Sequence, residues 1–150
     1  MEVRELGHLV LYVRDLATSA AFYRDVLGWR PIEPDAPMTG AVAFSSGRTH
    51  HELLLMEVGP DAKPIPSGRR VGLYHFGLKV GDTDDDLRAA LETVKAHDVT
   101  IIGASDHTVT HSLYILDPDG NEIELYIDVA DVDWAQHPEL LLSPIRPLHL

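Results

Sequence analysis

The chain writes one unit twice. Residues 6–32 read LGHLVLYVRDLATSAAFYRDVLGWRPI and residues 73–101 read LYHFGLKVGDTDDDLRAALETVKAHDVTI. Each begins with a short alternating strand that carries a histidine at its third position. Each then turns at an acidic residue into a helix, breaks, and enters a second strand. Shorter apolar stretches follow both: AVAF (41–44) and ELLLMEV (52–58) in the first half, TIIG (100–103), SLYILD (112–117) and EIELYIDV (122–129) in the second. Each half is therefore βαβββ, an α+β arrangement. Two such half-open sheets can pair about a pseudo-twofold into a half-open barrel with a cavity between them.

The helices have independent support. Asp15 is placed to cap the first, in which Leu16, Ala20, Tyr23 and Leu27 share one face, and Gly28 supplies the stop. In the second, Thr83 and Asp86 have capping-box spacing, and Leu87, Leu91 and Val94 continue the stripe. The acidic run Asp82, Asp84, Asp85 and Asp86 reads as a solvated first turn favoured by the helix dipole. DPDG at 117–120 predicts a hairpin turn. The expected organisation is one domain, 1–150. Module one covers about 5–58, a Pro/Gly-rich linker 59–71, module two about 72–129, and a tail 130–150. The tail, with Trp134 and a leucine triplet, is expected to wrap onto the body or a partner subunit.

Composition limits the chemistry. There is no cysteine, so any metal must be held by nitrogen and oxygen donors. The formal charge of −12 argues against a phosphate-binding nucleic-acid partner. No apolar run approaches membrane-spanning length, and the amino terminus lacks the pattern of a signal peptide. A cytoplasmic protein is expected. Nine histidines stand beside only twelve lysines and arginines, and the search for function starts there.

Strand alternation assigns faces. Leu9, Leu11 and Val13 oppose His8, Val10 and Tyr12. Phe76, Leu78 and Val80 oppose His75, Gly77 and Lys79. Ile123, Leu125 and Ile127 oppose Glu122, Glu124 and Tyr126. In each strand the apolar set can pack on the helix, which sends His8, His75 or Glu124 the other way. A lone strand histidine is usually a hydrogen-bonded core or surface residue. Two at equivalent repeat positions, with a carboxylate on the matching face of a final strand, form a set that suits non-haem Fe(II) or another divalent metal with open positions.

The segments GHLVLYVRDLATSAAFYRDVLGW, YHFGLKV and DPDGNEIELY resemble the vicinal oxygen chelate superfamily, which includes glyoxalase I, extradiol dioxygenases, bleomycin-resistance proteins and methylmalonyl-CoA epimerase. The resemblance covers residues 6 to about 128. It implies paired βαβββ modules and a metal at His8, His75 and Glu124, with Fe(II) first and Mn(II), Ni(II), Co(II) or Zn(II) as alternatives. The reaction turns on THHELLLM, residues 49–56. Glu52 matches the fourth ligand of glyoxalase-like members, whereas His51 matches the acid/base histidine of extradiol dioxygenases. SDHTVTHSLY resembles the dioxygenase segment that holds a further histidine and a tyrosine, here His107 and Tyr114. His111 reads as a surface residue.

His51 and Glu52 cannot both enter one face of a regular strand, so a bulge or a strand start at residue 52 is required. The resemblance implies an extradiol dioxygenase, with His51, His107 and Tyr114 as catalytic residues, acting on a small aromatic substrate and dioxygen as a homodimer. The alternatives are a glyoxalase- or epimerase-like lyase or isomerase, and a metal-free binding protein of the bleomycin-resistance type.

Overall fold

The computed structural model describes residues 1–33, 35 and 38–150. The chain divides into two compact units, Met1–Ile65 and Pro66–Leu150; the division falls inside the stretch read as a linker. Among the described residues, no helix is long and apolar enough to cross a membrane.

The first unit runs β1 (Leu9–Val13), α1 (Leu16–Ala21), β2 (Arg30–Pro31), β3 (Ala41–Ser45) and β4 (Leu53–Glu57), in a sheet of order β1-β4-β3-β2. β1 and β4 are parallel, and the other pairs are antiparallel. Leu11, Val13, Phe44, Leu53 and Leu55 are buried, while Val10 and Tyr12 are exposed, which is the expected alternation. Asp15 caps α1 by accepting from the Thr18 amide at 2.7 Å. Glu57, at the end of β4, accepts from the Leu16 amide at 2.9 Å. Two of the amides that a helix start leaves without partners are thereby satisfied.

The helix departs from the expected stripe. After Ala21 it continues as a π-helical turn, Phe22–Val26, and the Leu27 amide reaches back to the Phe22 carbonyl. A wider turn advances the phase of the face. The residues fully buried from it are Ser19, Phe22 and Tyr23, whereas Leu16, Ala20 and Leu27 are only half-buried. Tyr23 packs against Phe22, Trp29 and Phe44. Gly28 follows with φ +67°, the left-handed conformation that ends helices.

The second unit runs β5 (His75–Gly81), α2 (Asp84–Ala96), β6 (Ile101–Asp106), β7 (Thr110–Leu116), β8 (Glu122–Asp128) and β9 (Arg146–Pro147). Its sheet has the order β5-β8-β7-β6-β9. Leu87 and Val94 from α2 are buried, as are Leu113, Ile115, Ile123, Leu125 and Ile127 from β7 and β8. The β7–β8 turn is tied by Asp117, whose carboxylate accepts from the amides of Asp119 and Asn121 and from the Asn121 side chain. The tail settles on its own unit: Arg146 and Pro147 pair with Asp106 and Ser105 at the β6 edge.

β5 is less regular than the alternation implied. Its ladder with β8 shifts between Lys79 and Gly81, so Val80 drops out of register and is 37% exposed instead of packing on α2. The bulge leads directly into the helix start. Thr83 and Asp86 form the expected capping box, and the Asp86 carboxylate also accepts from the Asp82 amide at 3.0 Å. These bonds hold the Asp86 carboxyl below its ordinary pKa. A Cβ at Gly81 would lie 2.3 Å from the Asp86 Cβ, so only glycine leaves room for the cap.

Gly81→Ala is therefore expected to lower stability by about 1.5–5 kcal/mol in urea unfolding, the combined scale of overpacking and a lost cap. The cost in Gly81→Ala/Asp86→Ala should be less than the sum of the two single variants, because both act on one contact.

Candidate metal centre

In the second unit the polar residues of three adjacent strands share a face. Register sets Gly77 of β5 and Tyr114 of β7 on either side of Glu124 in β8, and sets His75 beside Glu122. His75 Nε2 lies 3.2 Å from Glu124 Oε2. That separation fits two neighbouring donors on one ion, with bonds of about 2.1 Å each. Glu124 Oε1 faces away and accepts from the Ser112 hydroxyl at 2.6 Å and the Tyr114 hydroxyl at 3.1 Å. The two oxygens are thus divided: one satisfied by hydroxyls, the other turned towards the imidazole.

Tyr114 is also joined to His107, Nε2 to hydroxyl, at 2.7 Å. The phenol has one proton. Given to the Glu124 carboxylate, it leaves the phenol oxygen as an acceptor, so His107 must carry a proton on Nε2 and donate it. Burial first, and then the Glu124 carboxylate, push the Tyr114 pKa well above its ordinary value, which keeps the phenol protonated. His107 is set by the tight β6–β7 turn. Its amide donates to the Thr110 carbonyl, Asp106 accepts from the Thr108 amide, and Thr108 adopts φ +73°.

The donor chemistry of this cluster suits a cation. His75, Glu122 and Glu124 are all at least partly buried, with side chains 27%, 18% and 17% exposed. Two carboxylates therefore flank one imidazole with little water to neutralise them. His75 Nδ1 is buried without a hydrogen-bond partner among the described residues. Glu122 Oε1, at 3.7 Å, lies near it but beyond hydrogen-bond distance, short of the carboxylate contact usual for a metal-ligating histidine.

In the first unit, His8 stands one residue before β1 and is exposed. The His51 ring lies against it, with centroids 4.5 Å apart, and the His50 ring stands 6.4 Å from it. His50 and His51 are joined through their Nδ1 atoms. The conflict between His51 and Glu52 is removed by where β4 begins. The strand starts at Leu53, so His51 sits in irregular backbone, free of strand alternation. Desolvation, with His50 and His8 as neighbours, pushes its pKa below the ordinary histidine value, partly opposed by Glu52.

Glu52 is committed elsewhere. Its carboxylate accepts from the Ser46 amide at 2.9 Å and the Ser46 hydroxyl at 2.7 Å, and it faces Arg48 Nε at 3.4 Å. Desolvation raises its pKa, but the bonds from Ser46 and Ser45 and the Arg48 charge outweigh this and hold it low.

The expected residues thus fall into two groups, His8 with His51, and His75 with Glu124, Tyr114 and His107. Among the described residues, no three histidine, aspartate or glutamate side chains are gathered so that they could hold a metal ion. His111 stands apart, bonded to Asp84 at 2.6 Å. Sequence reasoning passed over Ser112, Glu122 and His50. Ser112 was within reach, because it is two residues before Tyr114 and so shares its face.

Comparisons with known proteins agree with this architecture. The Glyoxalase/Bleomycin resistance protein/Dioxygenase superfamily model matches residues 5–125. A catechol-2,3-dioxygenase from Bacillus subtilis is 33% identical over 92% of the chain, and a biphenyl-2,3-diol 1,2-dioxygenase from Rhodococcus globerulus is 30% identical over 82%. The chain spans 46% and 63% of the lengths of these relatives. The solved structure of a lactoylglutathione lyase from Agrobacterium tumefaciens matches with a TM-score of 0.62 and 28% identity, covering 85% of this chain and 96% of that one. With the βαβββ unit present twice and the family's pattern running through both copies, the chain belongs to the Glyoxalase/Bleomycin resistance protein/Dioxygenase superfamily.

Proposed function

We propose that the protein is a metal-dependent extradiol-type dioxygenase that opens the ring of a catecholic substrate with dioxygen. The observation that carries this reading is the contrast at residues 51 and 52. The His51 ring lies against His8, while the Glu52 carboxylate is taken up by Ser46 and faces Arg48. A proton-transfer group next to one proposed ligand, with no second carboxylate offered there, suits ring cleavage better than isomerisation.

In this reading His8, His75 and Glu124 hold the ion, Fe(II) in preference to Mn(II), Ni(II), Co(II) or Zn(II). Bound there, it would supply a redox-active centre with open positions for the two catechol oxygens and dioxygen. His51, neutral near pH 7, takes a proton from a substrate hydroxyl and returns one later. His107 holds the Tyr114 oxygen, so the phenol can redirect only its proton, from Glu124 to a substrate oxygen. Ser112 keeps Glu124 Oε1 occupied, which leaves Oε2 for the ion. The reading extends to a cytoplasmic homodimer with no nucleic-acid or membrane partner.

A second reading, a lyase or isomerase with Glu52 as fourth ligand, is favoured by two observations. The β1–β4 register, continued by one residue, sets His8 beside Glu52, and the lyase relative is of similar length.

Anaerobic loading with Fe(II), then a catechol panel and oxygen, should give a yellow ring-opened product. Bound iron with no product from any catechol would sink the reading. His51→Phe should keep its metal and lose turnover by about 100-fold or more, the lower end for general acid–base groups. Glu52→Gln should still load metal stoichiometrically when metal is in excess, with affinity lowered by about 10-fold at most, and complete loss of metal there would select the lyase reading.

A further inference from the structure

Residues 1–8 form no regular element and are largely exposed, yet His8 is asked to be a ligand. Its imidazole is useful only if the chain that delivers it is held. β1 fixes the downstream side, with the Leu9 amide donating to the Glu52 carbonyl at 2.8 Å. The upstream side is held by one guanidinium. Arg48 Nη2 donates to the carbonyls of Leu6 at 3.3 Å and Gly7 at 3.2 Å, and Nη1 reaches Glu5 at 3.3 Å. Nε of the same side chain faces Glu52 at 3.4 Å. All three guanidinium nitrogens are therefore in use.

We infer that Arg48, anchored by Glu52, is a positioning residue for His8: it grips the two carbonyls before the histidine and fixes where the imidazole stands. This rests on the proposed reading of His8 as a metal ligand. It also gives the half-buried Glu52 carboxylate a task. Glu52 is 11% exposed and closes the loop through Ser46, so the loop that carries His50 and His51 is tied to the segment that carries His8.

The plainer reading is an exposed ion pair between Arg48 and Glu5, whose side chains are 47% and 67% exposed. Such a pair contributes little and is indifferent to Arg or Lys. Two consecutive carbonyls held by one nitrogen, with a shielded carboxylate on another, go beyond that. The fork of a guanidinium can span these acceptors at once, whereas a single ammonium cannot.

The test uses the full chain and Co(II) alone as the probe, followed by calorimetry. Arg48→Met and Arg48→Lys should each weaken Co(II) binding about 10-fold, the lower end for residues that orient a ligand. Their thermal unfolding midpoints should stay at the wild-type value. In the metal-free Arg48→Met protein, exchange of the Leu9 amide, which donates to the Glu52 carbonyl, should speed up. Wild-type affinity and unchanged exchange in Arg48→Met overturn the inference, and so does full affinity in Arg48→Lys, which would reduce the effect to charge. His8→Ala separates the two levels. If it binds Co(II) like the wild type, the ligand reading falls, while the exchange measurement still reports on the clamp.

Discussion

The cluster of His75, Glu124, Ser112 and Tyr114 depends on the alternation of β8. Ile123, Leu125 and Ile127 are each at most 2% exposed, and burying three large aliphatic side chains is worth several kcal/mol, at roughly 1.5–3 kcal/mol each. A slip of one residue would exchange them for Glu122, Glu124 and Tyr126. The hydrophobic core of the second unit thereby locks two carboxylates onto the opposite face. Ladder register with β5 and β7 then brings His75, Ser112 and Tyr114 to them.

The polar side of that face works by division of labour. Glu124 has more acceptor capacity than a lone metal bond needs, and hydroxyls from Ser112 and Tyr114 occupy one oxygen. His107 fixes Tyr114 from behind. Each member constrains the next, so the carboxylate cannot swing freely and its second oxygen stays directed at His75. Satisfied networks of this kind hold geometry more firmly than their separate bonds suggest.

The first unit solves a different problem. Its histidines lie at an exposed edge and in a loop, where no core packing holds them. Orientation comes from ring contacts among His8, His50 and His51 and from the Glu52–Ser46 and Arg48 bonds of the loop. The proposed choice between ring cleavage and isomerisation rests on the same few residues. Once β4 begins at Leu53, parity no longer forbids His51 the side on which His8 stands.

The sequence by itself determined the repeated βαβββ unit, both helix caps, the core faces of β1 and β8, and the candidate residues His8, His75 and Glu124. These are local or periodic properties, carried by the spacing of neighbours along the chain, whereas His51, His107 and Tyr114 were named by family resemblance. The tertiary structure alone decided the π-helical turn after Ala21, the bulge that expels Val80, and the settling of the tail on β6. It alone also decided the capture of Glu52 by Ser46 and the grip of Arg48 on Leu6 and Gly7. Each of these depends on partners far apart in sequence or on irregular backbone, where no period exists to be read. THHELLLM presents two histidines and a glutamate with equal claim, and only the position at which a strand begins separates them.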